Sequence, residues 1–192
     1  SFSLSDVWYG MGLQMLLYLF ALGKSGEKLY GKEIVPAGVL YVPARDTVIS
    51  ANADMGDEEI AKLRAKNVMR SGLILDEPEV INAMEHGEAP RYIPVKFKGG
   101  TASGDSLASA ERLGLLSRHI DETLCEMAKE LRRGSIAADP FYRNQQKNAC
   151  IYCDYLAACR FRNGENGEKM RFLPHLPATK VWNVLEGGED NG

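Results

Sequence analysis

The chain opens with an almost wholly apolar stretch that runs to Leu22, a pattern that predicts a helix buried on nearly every side. Ser5 or Asp6 can begin this helix, because a short polar side chain accepts hydrogen bonds from the free amides of a first turn. Gly23 and Gly26 predict its end, since glycine favours the conformation that closes a helix. The first predicted element is therefore a helix over residues 5–22.

The rest of the chain alternates between strand and helix patterns. Strands are predicted over residues 34–42 and 92–97, and a proline within each, Pro36 and Pro94, favours an edge position. Helices are predicted over residues 57–70, 78–85 and 109–133, and the last has one apolar stripe made of Leu113, Leu116, Ile120, Leu124, Met127 and Leu131. Residues 98–105 predict a flexible loop, and the chain turns irregular after Asp139 and Pro140. This order of elements predicts a mixed α and β fold.

One narrow face of the first predicted helix is polar. Gly10, Gln14 and Tyr18 recur every four residues and so share that face. Gln14 supplies its only strongly hydrogen-bonding amide. Either a polar group approaches this face, or Gln14 is buried and satisfied by backbone groups, which is the commoner arrangement for a glutamine in a helix of this kind.

Three of the four cysteines, Cys150, Cys153 and Cys159, fall within ten residues near the end of the chain. In this spacing, C-x2-C-x5-C, the first two thiolates converge from one tight turn and the third returns from the first turn of a following helix. Iron-sulfur clusters and structural zinc are held in this way, and thiolate ligands favour zinc or iron over magnesium or calcium. The alternative is three unlinked thiols, since free cysteine packs as a small hydrophobe.

A fourth ligand to such a centre is not fixed by the pattern. Cys125 lies roughly 140 degrees from the centre of the stripe on the predicted helix 109–133, on a flank that is exposed or packed, so it is either a ligand or an ordinary helix residue. His175 follows the cluster and could substitute in a zinc site. Both possibilities stay open.

Composition adds few constraints beyond a globular chain. With 192 residues and a net charge of −3, the protein has no overall attraction for nucleic acid. Residues 140–182 are locally basic, which favours either a local DNA contact or simply a solvated tail. Residues 13–22 are too short to span a bilayer and lack the flanks of a signal peptide. We therefore expect a soluble, cytoplasmic protein with no membrane partner.

Two catalytic patterns are absent or incomplete. Residues 26–33 satisfy G-x-x-x-x-G-K but end in Glu33, and they leave a helix and enter a strand instead of joining a strand to a helix, so they do not predict a phosphate-binding loop. No Asp or Glu has Lys two positions on, so the carboxylate and lysine pattern of metal-dependent nucleases is absent from these residues.

Three segments together resemble the C-terminal nuclease domain of the AddB family, a RecB-like branch of the PD-(D/E)XK nuclease superfamily. They are the opening FSLSDVWYGMGLQMLLYL, the strand PAGVLYV and the tail ACIYCDYLAACRF. The resemblance implies that residues 1–139 are the C-terminal part of a helix-rich, restriction-endonuclease-like core. Residues 140–192 would be a cysteine-stapled tail packed on the same domain.

The resemblance also implies roles for individual residues. Gln14 and Tyr18 match the family's Q-x3-Y motif, which assists catalysis. Cys150, Cys153 and Cys159 match the last three ligands of a 4Fe-4S cluster, whose first cysteine lies far upstream in the family. The family's catalytic Asp and D-x-K strand would precede Ser1, so we expect a fragment that neither cleaves DNA nor holds the cluster properly, unless Cys125 or His175 replaces the missing ligand.

The leading hypothesis is therefore part of an ATP-dependent exodeoxyribonuclease and helicase subunit that acts in double-strand break repair and recombination. Its parent would bind DNA, pair with the AddA subunit and use Mg²⁺ to hydrolyse phosphodiesters. The alternative is a noncatalytic DNA-end or partner-binding module stabilised by zinc or an iron-sulfur cluster. An electron-transfer protein is disfavoured, because one partial ligand set offers no relay.

Overall fold

A computed structural model describes residues 2–44, 48–52, 54–85, 91–98, 101–165 and 167–188. Its helices are α1 Leu4–Trp8, α2 Gln14–Tyr30, α3 Asp57–Val68, α4 Pro78–Met84, α5 Ala110–Arg132, α6 Leu156–Cys159 and α7 Ala178–Leu185. Its strands are β1 Gly38–Tyr41, β2 Ser71–Leu75, β3 Lys96–Lys98, β4 Thr101–Ser103, β5 Leu107–Ala108, β6 Phe141–Asn144, β7 Lys147–Asn148 and β8 Arg171–Phe172. The predicted mixed α and β class is confirmed.

The central sheet has the order β1-β2-β5, with β1 antiparallel and β5 parallel to β2. Strand β2 is apolar on both faces. Leu73 and Leu75 point into the main core with α1, α2, α5 and α7, whereas Ile74 points into a second core with α4 and the β3–β4 hairpin. The sequence analysis missed β2, because a short apolar run buried on both faces lacks the polar alternation that marks a strand.

The single helix predicted over residues 5–22 is wrong. Gly10 and Gly12 adopt positive φ angles of 78° and 67°, which separate α1 from α2. Helix α2 then continues through Gly23 and Gly26 to Gly31, which caps it in the left-handed conformation. The two internal glycines serve close packing, because a Cβ atom on Gly26 would lie 2.6 Å from Ile34 Cδ1 and one on Gly23 would lie 2.8 Å from Pro36 Cγ.

The long predicted helix is confirmed as α5, with the Ser109 hydroxyl accepting a hydrogen bond from the Arg112 amide at its start. Its stripe is buried at Leu113, Leu116 and Ile120 but emerges to solvent further on, since Leu131 is 78% exposed. The helices predicted over 57–70 and 78–85 are confirmed as α3 and α4, each within two residues at its end.

Other predicted boundaries need correction. The strands expected over 34–42 and 92–97 shorten to β1 and β3, and β1 lies at a sheet edge as its proline and glycine indicated. The loop expected over 98–105 contributes β4 to a hairpin, although residues 99 and 100 lie outside the described residues. Within the described part of the chain, no helix is both long and apolar enough to cross a membrane.

The tail is more regular than predicted. It forms a small sheet in the order β7-β6-β8, followed by α7. Helix α7 buries Val181 and Trp182 in the main core beside α1 and α5. A short amphipathic helix after several turns gives only two or three apolar positions, too few for its period to stand out from a loop.

Candidate functional site

The first turn of α2 presents two polar side chains to solvent. Gln14 Nε2 donates a hydrogen bond of 3.0 Å to Tyr18 Oη, and both side chains are exposed, Tyr18 by 55%. The buried-glutamine interpretation is therefore wrong, and the predicted pairing of residues 14 and 18 on one face is confirmed. Gly10 lies before the helix begins, so it does not belong to this face.

Two features orient this pair. Leu13 and Leu16 are buried in the main core and fix the rotation of α2, so that its opposite side faces outward. The residue before the helix, Leu13, gives no side-chain hydrogen bond to the first amides, so the amide end of α2 remains available to a negatively charged group. The carbonyl oxygen of Gln14 and the hydroxyl proton of Tyr18 stay free to contact a substrate or a catalytic group.

A buried polar network joins α1 to the tail. Asp6 Oδ1 lies 2.6 Å from Arg143 Nη1, and Asp6 Oδ2 lies 2.7 Å from Lys147 Nζ. Arg143 Nε also donates to the Leu173 carbonyl, and the Ser5 hydroxyl accepts from the Leu176 amide. Both cations belong to the β6–β7 hairpin, so the network fastens this hairpin to the core.

The Asp6 carboxylate stays ionised in this network. Burial by itself would raise the pKa of Asp6, but the hydrogen bonds and positive charges of Lys147 and Arg143 outweigh burial and hold that pKa below its usual value. Sequence analysis missed this network, because Asp6 and Arg143 are 137 positions apart and only the fold brings them together.

The three clustered cysteines line one cavity of about 290 Å³, together with Asp139, Pro140, Phe161 and two alanines. The Cys153 amide donates to the Cys150 carbonyl in a turn, and Cys159 ends the single-turn helix α6. This is the turn and following helix that the spacing predicted. Cys150 is half-buried and the other two thiols are exposed.

The donors suit a soft metal in kind but do not form a complete set. Neither Cys125 nor His175 is among the residues that line the cavity, and Cys125 is exposed on α5. Among the described residues, no three His, Cys, Asp or Glu side chains are close enough together to hold a metal ion. The three thiols therefore share a cavity without forming a closed metal site.

Comparison with known proteins adds two findings. A family model described as the PD-(D/E)XK nuclease superfamily matches residues 2–160. Proteins named as the B-type subunits of ATP-dependent helicase/deoxyribonucleases are similar over nearly the whole chain. That of Clostridium kluyveri is 31% identical over 96% of this chain and 16% of its own length.

Two further relatives carry the same name. The protein from Thermoanaerobacter sp. is 33% identical over 95% of this chain, and the one from Clostridium botulinum is 34% identical over 96%. In each case the match covers 16% of the relative. The chain thus spans about a sixth of the length of these curated relatives.

Proposed function

This chain belongs to the PD-(D/E)XK nuclease superfamily, and from this premise we propose that it is the part of a DNA-cleaving subunit that positions substrate beside the catalytic acids. The observation that carries the proposal is the Gln14–Tyr18 pair, which is hydrogen-bonded yet exposed at the uncapped start of α2. An exposed and mutually ordered amide and phenol suit contact with a ligand better than support of the core. The pair also matches the superfamily's accessory Q-x3-Y motif.

The full reaction would belong to a longer protein, as in the relatives, which are named helicase/deoxyribonuclease subunits. In that protein the catalytic Asp and the D-x-K strand would come from residues preceding this chain. Bound Mg²⁺ supplies an activated water and neutralises charge on the phosphodiester. The Gln14 amide would hold a phosphate oxygen or a catalytic group, and the Tyr18 hydroxyl would keep that amide in place.

We further propose that Cys150, Cys153 and Cys159 are three ligands of a 4Fe-4S cluster, whose fourth cysteine would also come from the preceding part of the longer protein. The support is that the three thiols share one cavity and that their donor chemistry suits iron. The cluster would fasten the tail to the core beside the Asp6 network. By itself, this chain would hold the cluster poorly and would not cleave DNA.

The biological setting follows from the same comparison. We propose an exonuclease and helicase subunit that works in the bacterial cytoplasm on DNA double-strand breaks and pairs with a second subunit of the AddA type. The relatives' names describe a subunit, which implies an assembly, and a deoxyribonuclease acts on DNA.

Cleavage of linear DNA in the presence of Mg²⁺ tests this proposal. The longer protein that contains this chain is compared with the 192-residue chain alone. Cleavage by the longer protein only is the expected result. If neither protein cleaves DNA although both fold and bind it, the noncatalytic binding module becomes the better account.

A further inference from the structure

Two arginine side chains lie against one exposed tyrosine ring next to the start of β2. The guanidinium carbon of Arg70 is 5.9 Å from the centre of the Tyr92 ring, and that of Arg91 is 5.8 Å away. Both distances fall within cation–π range, and Tyr92 is 40% exposed. Among the described residues, neither guanidinium forms a hydrogen bond or an ion pair, so their N–H groups remain free for an anion.

The segment that holds this arrangement is fixed by backbone contacts. The Arg70 amide donates to the Tyr92 carbonyl at 2.8 Å. The Glu85 carboxylate accepts hydrogen bonds from the amides of Tyr92 and Ile93, each at 3.0 Å, and from the Arg91 amide. Ile93 is fully buried beneath them. The ring and its two cations therefore project from an ordered segment.

The charge of Glu85 does not cancel the patch. Burial by itself would raise the pKa of the Glu85 carboxyl, but hydrogen bonds from the Arg91, Ile93 and Tyr92 amides and the charge of Arg70 hold it below its usual value. The carboxylate thus serves the backbone amides, and one negative charge faces two positive ones. The exposed guanidinium forks carry a net positive charge.

This patch lies at the same end of the central sheet as the Gln14–Tyr18 pair. Ser71, which follows Arg70, pairs with Tyr41 at the end of β1. The C-terminal half of α2 packs on Ile34 and Pro36, before β1 begins, so the first turn of α2 lies toward the other end of that strand. A small cavity lined by Tyr41, Met11 and Gly12 joins the two regions.

We propose that Arg70, Arg91 and Tyr92 form a phosphate-binding site for the DNA strand whose cleavage Gln14 and Tyr18 assist, an inference that rests on the proposed function. Guanidinium groups bind phosphate oxygens through paired N–H bonds. The tyrosine ring keeps the two forks in place, so less side-chain freedom is lost when the strand binds. The patch extends the contact with the strand away from the Gln14–Tyr18 pair.

The test measures binding of a fluorescein-labelled single-stranded DNA to the 192-residue chain by fluorescence anisotropy across a series of salt concentrations. Replacing both arginines, Arg70→Gln with Arg91→Gln, should weaken binding roughly tenfold at low salt. It should also flatten the plot of log Kd against log salt by about 1.4, since each phosphate contact to a single strand contributes about 0.7. The double replacement Arg70→Lys with Arg91→Lys, which keeps the charges, should preserve most of that slope.

A matched control exists at the other end of the sheet. Arg112 lies 5.2 Å from the centre of the Trp182 ring but is already paired with Glu186 at 2.6 Å, so Arg112→Gln should leave affinity and slope unchanged. Unchanged binding in the double glutamine variant, or equal loss in the Arg112 control, would overturn the inference. Absence of any salt-dependent binding by the unaltered chain would overturn it too.

The outcome is separable from that of the proposed function. Weak cleavage by Gln14→Ala in the longer protein, with normal DNA binding by the double glutamine variant, would preserve the nuclease proposal and remove this site. A free energy of unfolding measured for each variant identifies a merely structural role, because loss of stability without loss of binding also contradicts the proposal.

Discussion

Exposure distinguishes Gln14 and Tyr18 from residues that support the core. Their hydrogen bond lies at the surface, so removing it costs the fold almost nothing. We predict that Gln14→Ala and Tyr18→Phe each change the free energy of unfolding by less than about 0.5 kcal/mol in urea titrations. A loss of more than about 1 kcal/mol would show that the pair has a structural role. Gln146→Ala, on an exposed turn, is the matched control.

Asp6 gives the opposite case, a charged residue that the fold needs. Arg143 is only 10% exposed and would lose its partner in Asp6→Asn. We predict a loss of roughly 2 kcal/mol at neutral pH, less than for a fully buried pair because Asp6 keeps some contact with water. Glu126→Gln, which breaks an exposed ion pair, should leave the stability unchanged.

The same residue predicts a pH dependence. The pKa of Asp6 is lowered from its ordinary value of 3.8 on folding, so the unfolded chain binds the proton more readily. The stability that the pair supplies is therefore complete above pH 3.8 and is lost as the pH falls through the lower, folded-state pKa. Unfolding free energies of the unaltered chain and Asp6→Asn should converge across that acid range; a constant difference would contradict this assignment.

At the residue scale, sequence patterns predicted contacts that depend on local spacing. Gln14 and Tyr18 are four positions apart, so any helix brings them together, and the turn of Cys150 and Cys153 is equally local. The Asp6–Arg143 pair and the Arg70–Tyr92–Arg91 patch depend on which elements pack side by side. Local spacing carries no information about those contacts.

Glycines show why the boundaries of α2 were predicted less well than its existence. Gly23 and Gly26 indicate a helix end when read locally, but in the fold they let the segment before β1 pack closely on α2. Gly10 and Gly12, which do end the preceding helix, stand in a run that local patterns treat as continuous. For the same reason β2 was missed, since only its burial on both faces identifies it.

A matched pair of glycine substitutions tests this explanation. Gly26→Ala should destabilise the protein by about 1–3 kcal/mol, because the new Cβ would overlap the Ile34 side chain. Gly114→Ala, inside α5 with nothing within 4 Å of the new atom, should stabilise it by about 0.5–1 kcal/mol. Thermal unfolding of both variants gives the answer, and equal effects of the same sign would contradict the packing explanation.

At the scale of the whole molecule, the tail is fastened to the core by the Asp6 network, by α7 and, in our proposal, by a cluster. In the longer protein we predict that Cys150→Ser, Cys153→Ser and Cys159→Ser each lower the bound iron and sulfide severalfold. Cys125→Ser should leave both unchanged, because Cys125 does not line the cysteine cavity. Equal iron loss in the Cys125 variant would require a different ligand set.

The central claim is that this chain supplies the accessory part of a nuclease site, and the most direct measurement is DNA cleavage by the longer protein carrying Gln14→Ala. Mg²⁺-dependent cleavage and ATP-dependent unwinding are measured side by side, with Gln146→Ala as the control. We predict that Gln14→Ala lowers cleavage by about 100-fold, the lower range for a positioned catalytic contact, while unwinding stays normal. Unchanged cleavage, or an equal fall in cleavage and unwinding, would contradict the account.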